Sequence, residues 1–349
     1  MKKNSKILCI GLGKLGLIFS QILSEKVSDV IGYEVDKKII KSVNKNEKSI
    51  EPELNKLIRK NKNKFHITKS LSTGIQNSSS AFLILPTPSK KNKEFDNSYI
   101  EKCLDKIGPF LKNKKKYLIN ITSTVNPGSC EIFIKRLEKK YKLKHGKHFV
   151  LTYNPHLIAL GSIYKDVLFP DFVLIGSNLK SGFKLLENIY SKLYPNKLSL
   201  LKMLNLREAE IAKISINSYI TMKISFTNLI SQISDKVDNI DVSNILNVIG
   251  EDKRIGKKYL SLGASYSGPC FPRDNLNFIS YLKKNKLNYS LLKSTEEINN
   301  IQIARYLKIL KEETKGLKKP TIGLCGLSYK ENTSLATRSP AKDIFNNLK

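Results

Sequence analysis

With 349 residues, 40% of them hydrophobic, the chain is long enough for two domains and the start of a third, and no apolar run is long enough to span a bilayer. The formal net charge of +31 comes mostly from lysines spread along the whole sequence, without the interleaved aromatics of a single-strand binder. This reads as a solvated basic surface that draws in anionic nucleotides, and not as a nucleic-acid groove. Five unpatterned cysteines and four scattered histidines, with no CxxC or HExxH, argue for reduced thiols in a cytoplasm and against a metal site.

In chain order, Lys6–Ile10 is a continuous apolar run, as expected of a strand buried on both faces. It ends in Gly11, Leu12, Gly13, Lys14, Leu15 and Gly16, passes into a helical pattern, and is followed by a second strand over Val30–Glu34. This is a dinucleotide fingerprint in its required context. Gly11 permits the tight turn, Gly13 lets the backbone approach a pyrophosphate, and Gly16 lets helix and strand pack closely. The helix N-terminus holds the diphosphate, and Glu34 accepts from the adenosine ribose while repelling a 2′-phosphate, which favours NAD over NADP. Further strands are expected over Lys64–Thr68, Ala81–Leu85, Tyr117–Ile121, Phe149–Thr152 and Phe172–Gly176, with helices over Ser98–Leu111 and Gly128–Leu137. Two polar loops, Pro86-Thr87-Pro88 and Thr122–Val125 with Thr124, stand at strand ends where such sheets bind ligands.

From Asn205 to about Val237 there is no Gly or Pro, and the helical period predicts one long spine between domains or subunits. Lys213 and Asn217 lie on it one turn apart. Helices are expected over Val242–Ile249, from Pro272, and over Ser290–Thr314. A strand over Thr321–Leu324 and a helix from Pro340 then open a second α/β domain that looks cut short at Lys349. The fold class is therefore α/β, a Rossmann-type doubly wound sheet (1–203), then an all-helical domain (204–315), then that incomplete domain (316–349). In the loop Gly263–Asn275, Ser265, Ser267 and Gly268 give flexibility and Pro272 suits a first helical turn. Cys270 thus sits at a helix mouth, which favours its thiolate, with Asp274 one turn along.

These motifs, in this order, resemble the nucleotide-sugar 6-dehydrogenases, meaning UDP-glucose dehydrogenase and its GDP-mannose and UDP-HexNAc relatives. The motifs are the glycine fingerprint with Glu34, Glu51-Pro52, Pro86-Thr87-Pro88, Ser123-Thr124-Val125 and Asn154-Pro155. They continue through Ala209-Glu210, Lys213 and Asn217, then Asp252–Gly256, the Cys270 loop and Gly326–Lys330. The resemblance implies a four-electron oxidation of a sugar C6 hydroxymethyl with two NAD. The intermediate aldehyde is held on Cys270 as a thiohemiacetal, oxidised to a thioester and hydrolysed. It further implies that Lys213 and Asn217 stabilise the oxyanion and that Asp274 orients water or relays a proton. Thr124 would hold that water, and Pro86, Thr87 and Thr124 would join the glycine loop around NAD. Arg254, Tyr259, Gly268 and Lys330 would contact the nucleotide sugar, Arg254 from a neighbouring subunit of a homodimer built on the long helix.

The sequence also departs from the family pattern. Where Asn-Pro-Glu and a second Glu four positions later are usual, His156 and Leu160 stand; His156, with an unperturbed pKa of about 6.5, either replaces the base or merely fills space. Ser267-Gly268-Pro269 replaces Gly-Gly-Ser, Arg273 replaces a Lys, and Ser334, Leu335 and Thr337, with Arg338 one position on, replace an Asp pair and Arg. The lost Glu leaves a second reading, a dehydrogenase arrested before hydrolysis, and the shortened last domain a third, an inactive paralogue that regulates a full-length partner through the long helix.

Overall fold

A computed structural model describes residues 6–45, 53–331, 333 and 335–348; Glu51, Pro52 and Ser334 lie outside the described residues. The chain divides into two compact units, Met1–Lys90 with Phe95–Lys213, and Lys91–Glu94 with Ile214–Lys349.

In the first unit the described strands are β1 (Lys6–Ile10), β2 (Val30–Tyr33), β3 (Phe65–Thr68), β4 (Ser78–Leu83), β5 (Tyr117–Ile121), β6 (Phe149–Tyr153), β7 (Val173–Gly176) and β8 (Leu201–Leu204). They make one sheet in the order β3-β2-β1-β4-β5-β6-β7-β8, parallel throughout except that β6 meets β7 antiparallel. The helices are α1 (Lys14–Lys26), α2 (Lys37–Lys45), α3 (Leu54–Lys60), α4 (Leu71–Gln76), α5 (Ser98–Ile107), α6 (Ser129–Tyr141), α7 (Ile163–Leu168) and α8 (Lys180–Leu193).

The apolar run of β1 follows from covering both faces. Leu8 and Ile10 enter a core with α4, α5 and α6, while Ile7 and Cys9 enter the opposite core with α1, α3, α7 and α8. Strand order reverses between β1 and β4, which opens a crevice at their carboxyl ends.

The spine helix, α9, runs from Leu206 to Ser231, 26 residues and about 39 Å. It is shorter than the span read from the sequence. Arg305 ends it, bonding the Ser231 carbonyl at 2.9 Å and Asp235 on the following 3₁₀ turn, Gln232–Asp235. The second unit continues with α10 (Val242–Glu251), α11 (Phe271–Lys284), α12 (Ser290–Glu313) and α13 (Pro340–Leu348).

Within this unit α9 is built inside out. Ser218, Thr221, Ser225, Thr227 and Asn228 are buried, and Ser225 Oγ donates to the Thr295 carbonyl of α12 at 2.9 Å. Tyr219, Phe226, Leu229 and the following Ile233 are exposed.

The strand expected over Thr321–Leu324 does not form. A strand exists only with a neighbour to bond to, and among the described residues none pairs with this segment.

Candidate active site

In the first unit, the loop after β1 is shaped by backbone approach. Gly11 takes φ +93°, and a Cβ there would lie 2.3 Å from the Ile84 carbonyl oxygen. A Cβ on Gly16 would lie 1.9 Å from the Gly11 carbonyl oxygen, so helix and turn meet only because neither carries a side chain. Gly13 differs: it caps α1 in extended conformation, and a Cβ added there would meet nothing within 4 Å. Open space over uncapped helix N–H groups, with no acid in the first turn, suits a pyrophosphate.

Leu12 sends its side chain into the core and its N–H to Glu34 Oε2 at 2.7 Å; Glu34 Oε1 takes Val35 N at 2.7 Å and Asp36 N at 2.9 Å. Glu34 thus fixes the loop and keeps acceptor capacity on Oε2 for a ribose hydroxyl. Lys14 is exposed and Leu15 half-buried beside it. These residues fit NAD.

The loops after β4 and β5 are stitched together. Ser123 Oγ accepts from Leu85 N at 2.8 Å and donates to Leu85 O at 2.7 Å, while Thr87 Oγ1 donates to the Thr124 carbonyl at 2.8 Å. Thr87 is buried, Pro86 exposed and Thr124 half-buried. On the first turns of α9, Glu210 and Lys213 are both buried.

His156 follows β6 but packs inward. Its ring lies edge-on to Phe19 at 4.4 Å, and Nε2 is buried without a hydrogen-bond partner among the described residues. Burial pushes its pKa down to about 4, so the imidazole stays neutral and is a weak base near pH 7. Leu160 joins the same apolar core. The His156 ring is thus held among apolar neighbours in the first unit.

In the second unit, Cys270 is the N-cap of α11, exposed, with Pro272 in the first turn. Asp274 N donates to the Cys270 carbonyl at 2.9 Å, and the Asp274 side chain is buried one turn along. Asn217 Nδ2 donates to Asp274 Oδ2 at 2.6 Å, tying α9 to the start of α11. The preceding loop is pinned by α12. Asn299 accepts from Tyr266 N at 2.7 Å and donates to Tyr266 O at 3.2 Å, and the Tyr266 hydroxyl donates to Glu296. Gly268, at φ +80°, lies under the ring of Tyr329, where a Cβ would come within 2.5 Å of a ring carbon. Burial and the nearby Cys270 both push the Tyr329 hydroxyl pKa up. Lys330 is next in sequence and half-buried.

Tyr259, in the left-handed region, sets its ring edge-on to Phe271 at 6.5 Å. Arg254 stands apart at the surface, its side chain 89% exposed and paired with Asp252. Sequence reasoning missed Tyr329 and gave no role to Glu210. The signals were a glycine two residues before the cysteine, and a lone acid following Leu206 and Ala209 on an otherwise apolar helical stripe.

Comparison with known proteins follows this division. Residues 5–194 match the model of the UDP-glucose/GDP-mannose dehydrogenase family, NAD binding domain, and residues 207–301 match that family's central domain. The chain is 32% identical over 348 residues to UDP-glucose 6-dehydrogenase of Rickettsia bellii, covering 97% of this chain and 77% of that protein. It is 29% identical over 343 residues to UDP-glucose 6-dehydrogenase TuaD of Bacillus subtilis, covering 97% and 72%. Among solved structures, a UDP-glucose dehydrogenase from Pyrobaculum islandicum superposes with TM-score 0.90 at 24% identity, covering 99% of this chain and 79% of that one. A GDP-mannose dehydrogenase from Pseudomonas aeruginosa gives TM-score 0.66 at 26% identity, covering 98% and 78%.

Proposed function

Because the chain belongs to the UDP-glucose/GDP-mannose dehydrogenase family, we propose that it oxidises the C6 hydroxymethyl of a nucleotide sugar, UDP-glucose or a UDP-sugar relative, to the uronate. The observation that carries this reading is the exposed Cys270 at the mouth of α11, with buried Asp274 one turn along and held by Asn217.

Gly11, Gly13, Gly16 and Glu34 would hold NAD, which would supply a hydride acceptor for each of two oxidations, one molecule to each. The first removes a hydride and a proton from the alcohol to give the aldehyde. The Cys270 sulfur adds to the aldehyde carbon, and its oxygen becomes the thiohemiacetal hydroxyl. Removal of a second hydride and proton gives the thioester. Water then breaks the carbon–sulfur bond and releases carboxylate and thiol. A sulfur nucleophile suits this sequence because its ester is labile to water.

Lys213 and Asn217, one turn apart on α9, stabilise the developing oxyanion by charge and amide. Asp274 orients the attacking water together with Thr124. Arg254, Tyr259, Gly268 and Lys330 make the substrate contacts. With NAD and UDP-glucose, the protein is expected to form two NADH per uronate; a ratio of one, with aldehyde as product, would refute the second oxidation.

A second reading has one observation behind it. His156 packs against Phe19 and Leu160 against the apolar core, and neither side chain carries a carboxylate. On that reading the enzyme pauses at the thioester, and intact mass would show a sugar adduct that persists after NADH formation stops.

The exposed apolar stripe of Tyr219, Phe226, Leu229 and Ile233 supports a homodimer through α9. Sedimentation equilibrium should give twice the chain mass. A Phe226→Glu variant should sediment as a monomer, and a monomeric unmodified protein would exclude this interface.

A further inference from the structure

The loop that carries Thr124 and the helix that carries Lys213 are joined by one buried side chain for which no role has yet been given. Glu210, fully buried on α9, receives the Gly128 N–H on Oε2 at 2.5 Å and the Cys130 N–H on Oε1 at 2.8 Å. The Cys130 thiol also hydrogen-bonds it. These are the unpaired donors of the first turn of α6, whose N-cap, Gly128, has no side chain to satisfy them. The segment Thr122–Gly128 runs directly from β5 into this turn and carries Thr124 in its middle. Lys213 lies three residues beyond Glu210, on the next turn of α9.

We propose that Glu210 is a positioning residue: its carboxylate clamps the start of α6 to the first turns of α9, holding Thr124 and Lys213 in one register for the reaction. The proposal rests on the reading that Lys213 and Thr124 serve the oxidation.

The chemistry of the clamp favours an ionised carboxylate, since all three partners are donors and the amino end of α6 adds partial positive charge. Burial opposes ionisation, and the balance holds the Glu210 carboxyl up to about 7. The charged groups facing it are few. Glu131 of α6 is paired with Arg207 of α9, Lys213 follows on α9 itself, and Thr122–Gly128 contributes no charge. As pH falls through this value the carboxyl gains a proton, one oxygen becomes a donor facing a donor, and the clamp loosens. Turnover should therefore carry an acidic limb that belongs to Glu210.

Glu210→Gln imposes the neutral form at every pH, because its amide nitrogen must face a backbone N–H. Measured beside Lys213→Ala in one NADH assay across pH, Glu210→Gln is expected to lower kcat by about tenfold or more at alkaline pH, with a smaller change in KM for the nucleotide sugar, and to lose the limb near pH 7. A merely structural role would lower thermal stability and leave the limb in place.

If Lys213→Ala abolishes turnover while Glu210→Gln keeps both its rate and its acidic limb, the clamp is wrong and the site reading stands. If Lys213→Ala turns over normally, the site reading fails and takes the clamp with it. Should Glu210→Gln not fold, amide exchange on the unaltered protein decides. Protection factors at Gly128 and Cys130 are expected to drop together below pH ~7, and protection independent of pH would overturn the proposal.

Discussion

Cys270→Ala is expected to lower uronate formation by about 10³-fold or more, with the folded state retained. The sulfur stands exposed at the N-cap of α11, outside the core of the second unit, so its removal is expected to leave that core intact and the thermal midpoint near that of the parent. On the proposed mechanism, what it removes is the step that converts the aldehyde into a thiohemiacetal able to lose a second hydride while still held by the protein. The first oxidation needs no sulfur. The variant should therefore still form about one NADH per aldehyde while uronate falls to background. A variant that makes uronate at the parent rate would leave the thiol without a role.

Lys213→Ala comes second, with an expected loss of about 10² to 10³-fold in kcat and a smaller change in KM. A buried ammonium acts on developing negative charge far more strongly than an exposed one, because little water screens it. Lys213→Met keeps the stem and removes the charge, so it separates packing from electrostatics: if charge is what matters, the two variants lose activity alike. Lys213→Met with parent-like kcat would assign the side chain to packing alone.

Much of the first unit was legible because its elements declare themselves locally. The run Ile7 to Ile10 can be apolar at every position only if both faces are covered, and both are covered. Gly11 and Gly16 were readable for the same reason in reverse, since each is the residue a backbone approach demands. Elements set by tertiary partners were not legible. β8 exists because β7 offers it a ladder, whereas residues 321–324 find none among the described residues.

The site shows the same boundary. Cys270 and Asp274 were placed by the helix that Pro272 begins, a local signal. That Asn217 would reach Asp274 across 57 residues required the fold. His156 read as a candidate base because an unburied imidazole titrates near neutrality; its burial, against Phe19 far away in sequence, lowers its pKa and could not be read locally. Glu210 sat in a quoted motif, yet its partners at Gly128 and Cys130 lie some eighty residues earlier in the chain. The long spine was legible as a helix, but its inverted burial was not, because Ser225 goes inside where the Thr295 carbonyl of α12, 70 residues on, comes close enough to accept from it.

The most direct test is the mass of the peptide that carries Cys270, taken from a reaction with NAD and UDP-glucose quenched in acid within the first turnover. The account predicts a sugar nucleotide attached through sulfur at Cys270, dependent on NAD and absent from Cys270→Ala. Steady release of uronate with that peptide unmodified at every quench time would contradict it.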